Sequence, residues 1–132
     1  MKYYLLIILS FILLIQCNTQ KQQYFDKRYI KLRAKIIRIE EKNNIYIYYF
    51  KNNDGKGVFA KTKICHFNTD SWKSIVINKT YNLILDKPLI LNSRAGGTRE
   101  TINGEVVWDS DMEETYYFDC INICANKIYE IK

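Results

Sequence analysis

From Ile30 to Glu40 apolar and charged residues alternate, and two polar turn signals then set off Ile45 to Phe50 and Gly57 to Ile64, a pattern that commits this stretch to an antiparallel β-meander. Leu32, Ala34 and Ile36 alternate with Lys31, Arg33 and Lys35, and then Ile37 and Ile39 alternate with Arg38 and Glu40. The change of phase at Ile36-Ile37 is what a β-bulge produces, one extra residue that bends a strand and lets it serve two sheets. Lys42-Asn43-Asn44 makes the first turn, Ile45 to Phe50 the second strand, Asn52-Asn53-Asp54-Gly55 the second turn, and Gly57 to Ile64 the third strand. In the register that matches these patterns Ile37 faces Tyr49, Ile39 faces Ile47, Ala60 faces Ile47 and Val58 faces Tyr49, so one face is apolar throughout. The other face collects Arg38, Tyr46, Tyr48, Phe50, Phe59, Lys61 and Lys63, and a slip by one residue would drive Arg38 and Lys61 into the core.

The rest of the chain extends the same plan. Phe67 to Ser74 carries Asp70 as an N-cap before Ser71-Trp72-Lys73 and predicts one short helix. Thr80 to Leu85 turns Tyr81, Leu83 and Leu85 inward, and Asp86-Lys87-Pro88 ends that strand. Arg94 to Arg99 is a glycine-containing loop. Val106 to Trp108 and Tyr116 to Cys120 read as further strands around the acidic loop Asp109 to Glu114, and Ile121 to Ile131 adds a terminal strand. Eleven Tyr, six Phe and two Trp with a single Pro suit strands better than helices. Three meandering strands, a short helix and a fourth strand that pairs with the bent first one resemble the OB-fold in topology, without a diagnostic motif. The expected fold is therefore mainly β: a small OB-like antiparallel β-barrel with one short helix, occupying residues 30–132.

The first seventeen residues carry a different signal. Lys2 supplies a positive start, Tyr3 to Ile15 form an apolar run broken only by Ser10, and the run ends Leu14-Ile15-Gln16-Cys17 before the polar stretch Asn18 to Gln23. The run is shorter than the ~20 residues that span a bilayer as a helix and fits the ~7–15 residues of an export signal. Leu14 and Cys17 make it resemble the bacterial lipoprotein signal peptide, although Gln16 stands where that family has a small residue. The resemblance implies an N-terminal signal helix over 1–17, acylation of Cys17, a polar tether over 18–29, and a protein anchored by lipid to a bacterial membrane and facing periplasm or exterior. Two or three acyl chains at ~0.8 kcal/mol per buried CH₂ would make that attachment permanent. With Cys17 acylated, three cysteines remain in a compartment that permits disulfides, so one bridge at most forms within the chain: Cys65 with Cys120 or with Cys124.

Charge is unevenly spread. Residues 18–85 carry 14 Lys/Arg against 5 Asp/Glu, and residues 86–132 carry 5 against 9. Such asymmetry fits either an acidic partner for the first half or two halves that answer one another's charge. For a ligand face the pattern offers Tyr46, Tyr48, Phe59 and Lys61, since flat rings stack on sugars or bases and a lysine pairs with phosphate. Cross-strand aromatic pairs also stabilise a sheet by ~0.2–1 kcal/mol with no ligand involved.

Other chemistry finds little support. Asp109, Asp111 and Glu113 have alternate oxygen ligands but lack the glycine and terminal glutamate of a calcium loop. Cys65 and His66 are adjacent and would point to opposite faces of a strand. Cys65, His66, Cys120 and Cys124 fit no zinc-finger spacing. No catalytic constellation, metal site or cofactor is expected. The sequence reads as a non-catalytic binding module of the cell envelope for a glycan, a lipid head group or a protein, with no nucleic acid expected in that compartment. The alternatives are an accessory subunit of an envelope enzyme and an immunity-type inhibitor whose acidic half meets a basic toxin.

Overall fold

The structure, a computed structural model, describes residues 28–86 and 97–130. The export segment, Cys17, most of the polar tether, residues 87–96 and residues 131–132 lie outside them. The described residues are mainly β, with no helix among them. The strands are β1 (Tyr29–Lys42), β2 (Ile45–Lys51), β3 (Lys56–Thr62), β4 (Lys73–Ser74), β5 (Thr80–Asp86), β6 (Arg99–Ile102), β7 (Glu105–Asp109), β8 (Thr115–Tyr116), β9 (Ile123–Cys124) and β10 (Lys127–Ile128). They form a five-stranded sheet in the order β5-β1-β2-β3-β8, a three-stranded sheet β4-β10-β9 and the hairpin β6-β7.

The meander has the expected register from β2 to β3, with Ile47 opposite Ala60 and Tyr49 opposite Val58. Along β1 the pairing holds only up to Ile36, which faces Phe50; the bulge then absorbs Ile37, so Arg38 faces Tyr49 and Ile39 faces Tyr48. The expected pairs Ile37–Tyr49 and Ile39–Ile47 are thereby corrected, because a bulge that bends a strand also shifts every pair beyond it. Ile37 and Arg38 consequently lie on one side of the sheet, the Arg38 guanidinium over the Tyr49 ring at 3.7 Å, while Ile39 packs on the other side. The bend lets β1 pair with β2 and with β5, where Leu32 faces Leu83 and Ala34 faces Tyr81.

Both faces of β2 and β3 are covered. On the inner face Ala34, Ile36, Tyr48, Phe50, Phe59, Tyr81, Leu83 and Leu85 pack under a C-terminal layer that contributes Cys120, Ile123 and Ile128. Each of the larger aliphatic side chains buried there stabilises the fold by about 1.5–3 kcal/mol. Asn122 is the polar seam of this layer: its Oδ1 accepts from the Ile84 amide at 2.9 Å, and its Nδ2 donates to the carbonyls of Asn82 at 2.8 Å and Tyr129 at 3.1 Å. On the outer face Ile45, Ile47, Tyr49, Val58 and Ala60 pack under Val107 of the β6-β7 hairpin and under Tyr116, with Ile102, Trp108 and Met112 at the margin. Asn103 (φ 51°) and Gly104 (φ 80°) give that hairpin its tight left-handed turn.

Two expectations fail here. The sheets are not closed into a barrel. The parallel pairing of β8 with β3 is followed by a crossing of the chain to β5, where the Asp86 amide donates to the Asp119 carbonyl and the Ile121 amide to the Ile84 carbonyl, each at 2.9 Å. Among the described residues a single isolated bridge, Leu85 to Cys120, links the two sides. The expected helix at Phe67–Ser74 is replaced by a turn leading into β4. The Asn68 side chain accepts from the Asp70 amide at 2.8 Å, and the Trp72 amide reaches back to the Thr69 carbonyl at 3.0 Å. Such short side-chain bonds offer the backbone an alternative to a helix.

Candidate functional site

The four residues expected to form a ligand face do not form an exposed one. Tyr48 and Phe59 are 0 % exposed, stacked on one another at 5.0 Å between ring centroids, and belong to the inner core. The Tyr48 hydroxyl donates to the Ala125 carbonyl, and burial pushes its pKa well above the usual phenol range. Tyr46 and Lys61 are half-buried at the edge of the same core, and the Lys61 ammonium is paired with Asp119. The physical reason lies in β2 itself: Ile45 to Phe50 is an unbroken apolar run, and such a run is buried on both faces.

The cysteines resolve to one of the two expected pairings. Cys65, just beyond β3, is bonded to Cys124 in β9 with a Cα–Cα distance of 5.8 Å. Among the described residues Cys120 is the free thiol; it is buried, lies 3.3 Å from the Asn122 side-chain oxygen, and its pKa is pushed up to about 12 by desolvation. Cys65 is thus neither a nucleophile for the exposed His66 nor a zinc ligand. Among the described residues no group of three or more His, Cys, Asp or Glu side chains is gathered to hold a metal.

The charge asymmetry is answered in large part inside the molecule. Arg28 pairs with Asp86 at 3.2 Å, Lys56 with Glu113 at 2.7 Å, Lys61 with Asp119, and Lys73 and Lys79 with Glu130. Each of these joins a cation of the first half to a carboxylate of the second. The hydrogen bond from Lys56 holds the Glu113 carboxyl below the usual carboxylate range, and that from Lys73 does the same for Glu130. Arg38 and Lys42 pair locally with Glu40, and Lys63 pairs with Glu41.

Among the described residues of the first half, the cations left without such a partner are Lys31, Arg33, Lys35 and Lys51, and they share one place. Lys31, Arg33 and Lys35 alternate with the inward Leu32, Ala34 and Ile36 along β1, so all three point to the outer face. Lys51 stands directly opposite Lys35 on β2, and Thr80 stands opposite Lys35 on the other side, on β5. Among the described residues the β6-β7 hairpin covers the β2-β3 side of this outer face, and Lys31, Arg33, Lys35 and Thr80 on the β1-β5 side are exposed. There Arg33, Lys35, Lys51, Asn52, Asn53 and Thr80 line a cleft of about 550 Å³.

The described residues that line this cleft supply three cations, two amides and a hydroxyl, with no carboxylate among them. Adjacent strands lie ~4.8 Å apart and alternate residues of one strand ~6.8 Å apart, so the bases of Lys35, Lys51 and Arg33 surround a single point within reach of all three heads. Like charges placed directly opposite across two strands destabilise a sheet. An anion between them reverses that sign. The arrangement can therefore bind negative charge. The alternation in β1 already exposed these cations in the sequence, but the signal that singles them out, the absence of carboxylate partners, requires the tertiary pairing. No protein-family model, curated protein or solved structure matches the chain.

Proposed function

We propose that this chain is a lipid-anchored binding protein of the bacterial cell envelope, tethered through Cys17, whose OB-like β-domain captures an anionic ligand in the cleft of Arg33, Lys35 and Lys51. The observation that carries the reading is the concentration of unpaired positive charge in one open cleft while neighbouring cations are neutralised by carboxylates. The export segment and Cys17 support the location. The OB-like reading draws support from the bent β1 shared by β2 and β5, the parallel approach of β8 to β3, and the return of the chain to β5 at Cys120.

The anchor is tested by Cys17→Ser, which should abolish labelling by radioactive palmitate and move the protein from the membrane to the soluble fraction; unchanged labelling removes the anchor. The cleft is tested on an anionic matrix with two triple variants of equal net charge. R33Q/K35Q/K51Q should elute at clearly lower salt than K56Q/K63Q/K73Q. Equal elution of the two would show that only overall charge matters and would remove the cleft.

A further inference from the structure

Resting on the cleft reading above, we propose that Lys35 and Lys51 form a phosphate seat, and that the ligand is a phosphate ester of a polyhydroxylated group about the size of one or two sugar rings. The seat follows from the register. Lys35 lies in a row with Lys51 on one side and Thr80 on the other, so two ammonium groups and a hydroxyl converge from three adjacent strands. Arg33 stands one pleat away on the same face and supplies a planar fork, the donor geometry that meets two oxygens of a phosphate at once.

A compact, multiply charged anion satisfies this row better than a carboxylate does. A carboxylate has two oxygens in one plane and a single charge, whereas a phosphate ester presents oxygens in three directions to donors that arrive from three directions. The remaining lining is uncharged. Asn52 and Asn53 at the β2-β3 turn and Thr80 at the start of β5 offer amides and a hydroxyl, groups that bond to alcohols. Asn52 is itself held in place, its side-chain oxygen accepting from the Gly55 amide at 2.9 Å and the Asp54 amide at 3.1 Å, and its amide nitrogen donating to the Asp54 carboxylate at 3.5 Å. The volume of about 550 Å³ falls within the ~300–1,000 Å³ usual for small-molecule sites and leaves room beyond the phosphate for the group that carries it.

The same chemistry comes from two sources, a soluble or glycan-borne sugar phosphate and the head group of an anionic phospholipid. The experiment uses the full-length chain in amine-oxide micelles, with backbone amide shifts of Lys35, Lys51 and Thr80 as readout. The probes are glucose 1-phosphate, glucuronate as a carboxylate of similar shape, short-chain phosphatidylglycerol and short-chain phosphatidylcholine. A phosphate seat predicts that glucose 1-phosphate or phosphatidylglycerol, or both, shifts these amides at least tenfold more tightly than glucuronate or phosphatidylcholine. Response to the sugar phosphate alone assigns a soluble or glycan source, and response to phosphatidylglycerol alone assigns the membrane. K35Q/K51Q should weaken the binding at least tenfold while K31Q, outside the cleft, changes it less than twofold. Equal response to phosphate and carboxylate, or binding indifferent to K35Q/K51Q, overturns the phosphate seat. If that happens while R33Q/K35Q/K51Q still loses retention on the anionic matrix, the anionic cleft stands and only the phosphate assignment falls.

Discussion

The Tyr48 hydroxyl donates to the main-chain carbonyl of Ala125, a residue 77 positions further along the chain. This bond fastens the centre of the large sheet to the tight turn between β9 and β10, where Ala125 adopts a left-handed φ of 49°. It places the Tyr48 ring between two layers, in the core and away from solvent. Tyr48→Phe keeps the ring and leaves the carbonyl short of a donor, so it should cost about 1–2 kcal/mol. Urea unfolding of the two proteins checks this, and anion retention at the cleft should be unchanged.

The disulfide ties the end of β3 to the C-terminal layer across a separation of 59 residues. Closing a loop of that length removes enough freedom from the unfolded chain to contribute about 4 kcal/mol in the chain-entropy account. Cys65→Ala/Cys124→Ala should therefore lower the urea midpoint strongly, and reductant should lower that of the unaltered protein but not of the variant.

Alkaline pH should unfold the protein earlier than its neutral stability suggests. Burial raises the phenols of Tyr48, Tyr49, Tyr116 and Tyr117 above their usual value of 10.0, Tyr116 to about 12, and raises the Cys120 thiol from 9.0 to about 12. The folded state holds these protons more tightly than the unfolded state does. Their contribution is complete below the unfolded values, near pH 9, and is lost as pH climbs toward 12, because the unfolded chain releases its protons first. Thermal melts should be level from pH 7 to 9 and fall steadily above it, and Cys120→Ala should soften the first part of that fall.

Lys51→Glu should stabilise the fold and abolish anion binding at once. The substitution turns the like-charged pair with Lys35 into an opposite one, worth about 0.2–1 kcal/mol. At the usual conversion for a domain of this size that is roughly 1–6 °C in Tm. Calorimetry and retention on the anionic matrix measure the two effects on one sample. A loss of stability would show that Lys51 is held by contacts other than its charge.

The meander was legible because alternation and turn chemistry pointed the same way. Ile47 opposite Ala60 and Tyr49 opposite Val58 follow from them directly, as does the bent β1 shared between β2 and β5. The choice of the solvent face was misread at Tyr48 and Phe59, because alternation distinguishes two faces only when one of them is polar. In Ile45-Tyr46-Ile47-Tyr48-Tyr49-Phe50 neither is, and that uniformity was itself the sign of a strand covered on both sides. The turn at Asn68–Trp72 was mistaken for a helix since Asp70 suits both, and the bond from its amide to Asn68 decides between them. The cleft was half legible: Arg33 and Lys35 stood out as exposed cations, but Lys51 and Thr80 reach them only through pairings from other strands.

The β6-β7 hairpin rests on the sheet through Val107, with Ile102 and Trp108 beside it, and stops short of β1's basic half. One broad surface is thereby divided into a part where shape is fixed by close packing and a part where side chains meet no ionic partner among the described residues. Positions 31, 33, 35 and 51 can exchange size and sign with little penalty to folding, whereas their neighbours under the hairpin cannot. A scaffold divided in this way can change what it recognises by altering a handful of residues, and leave its architecture untouched while doing so.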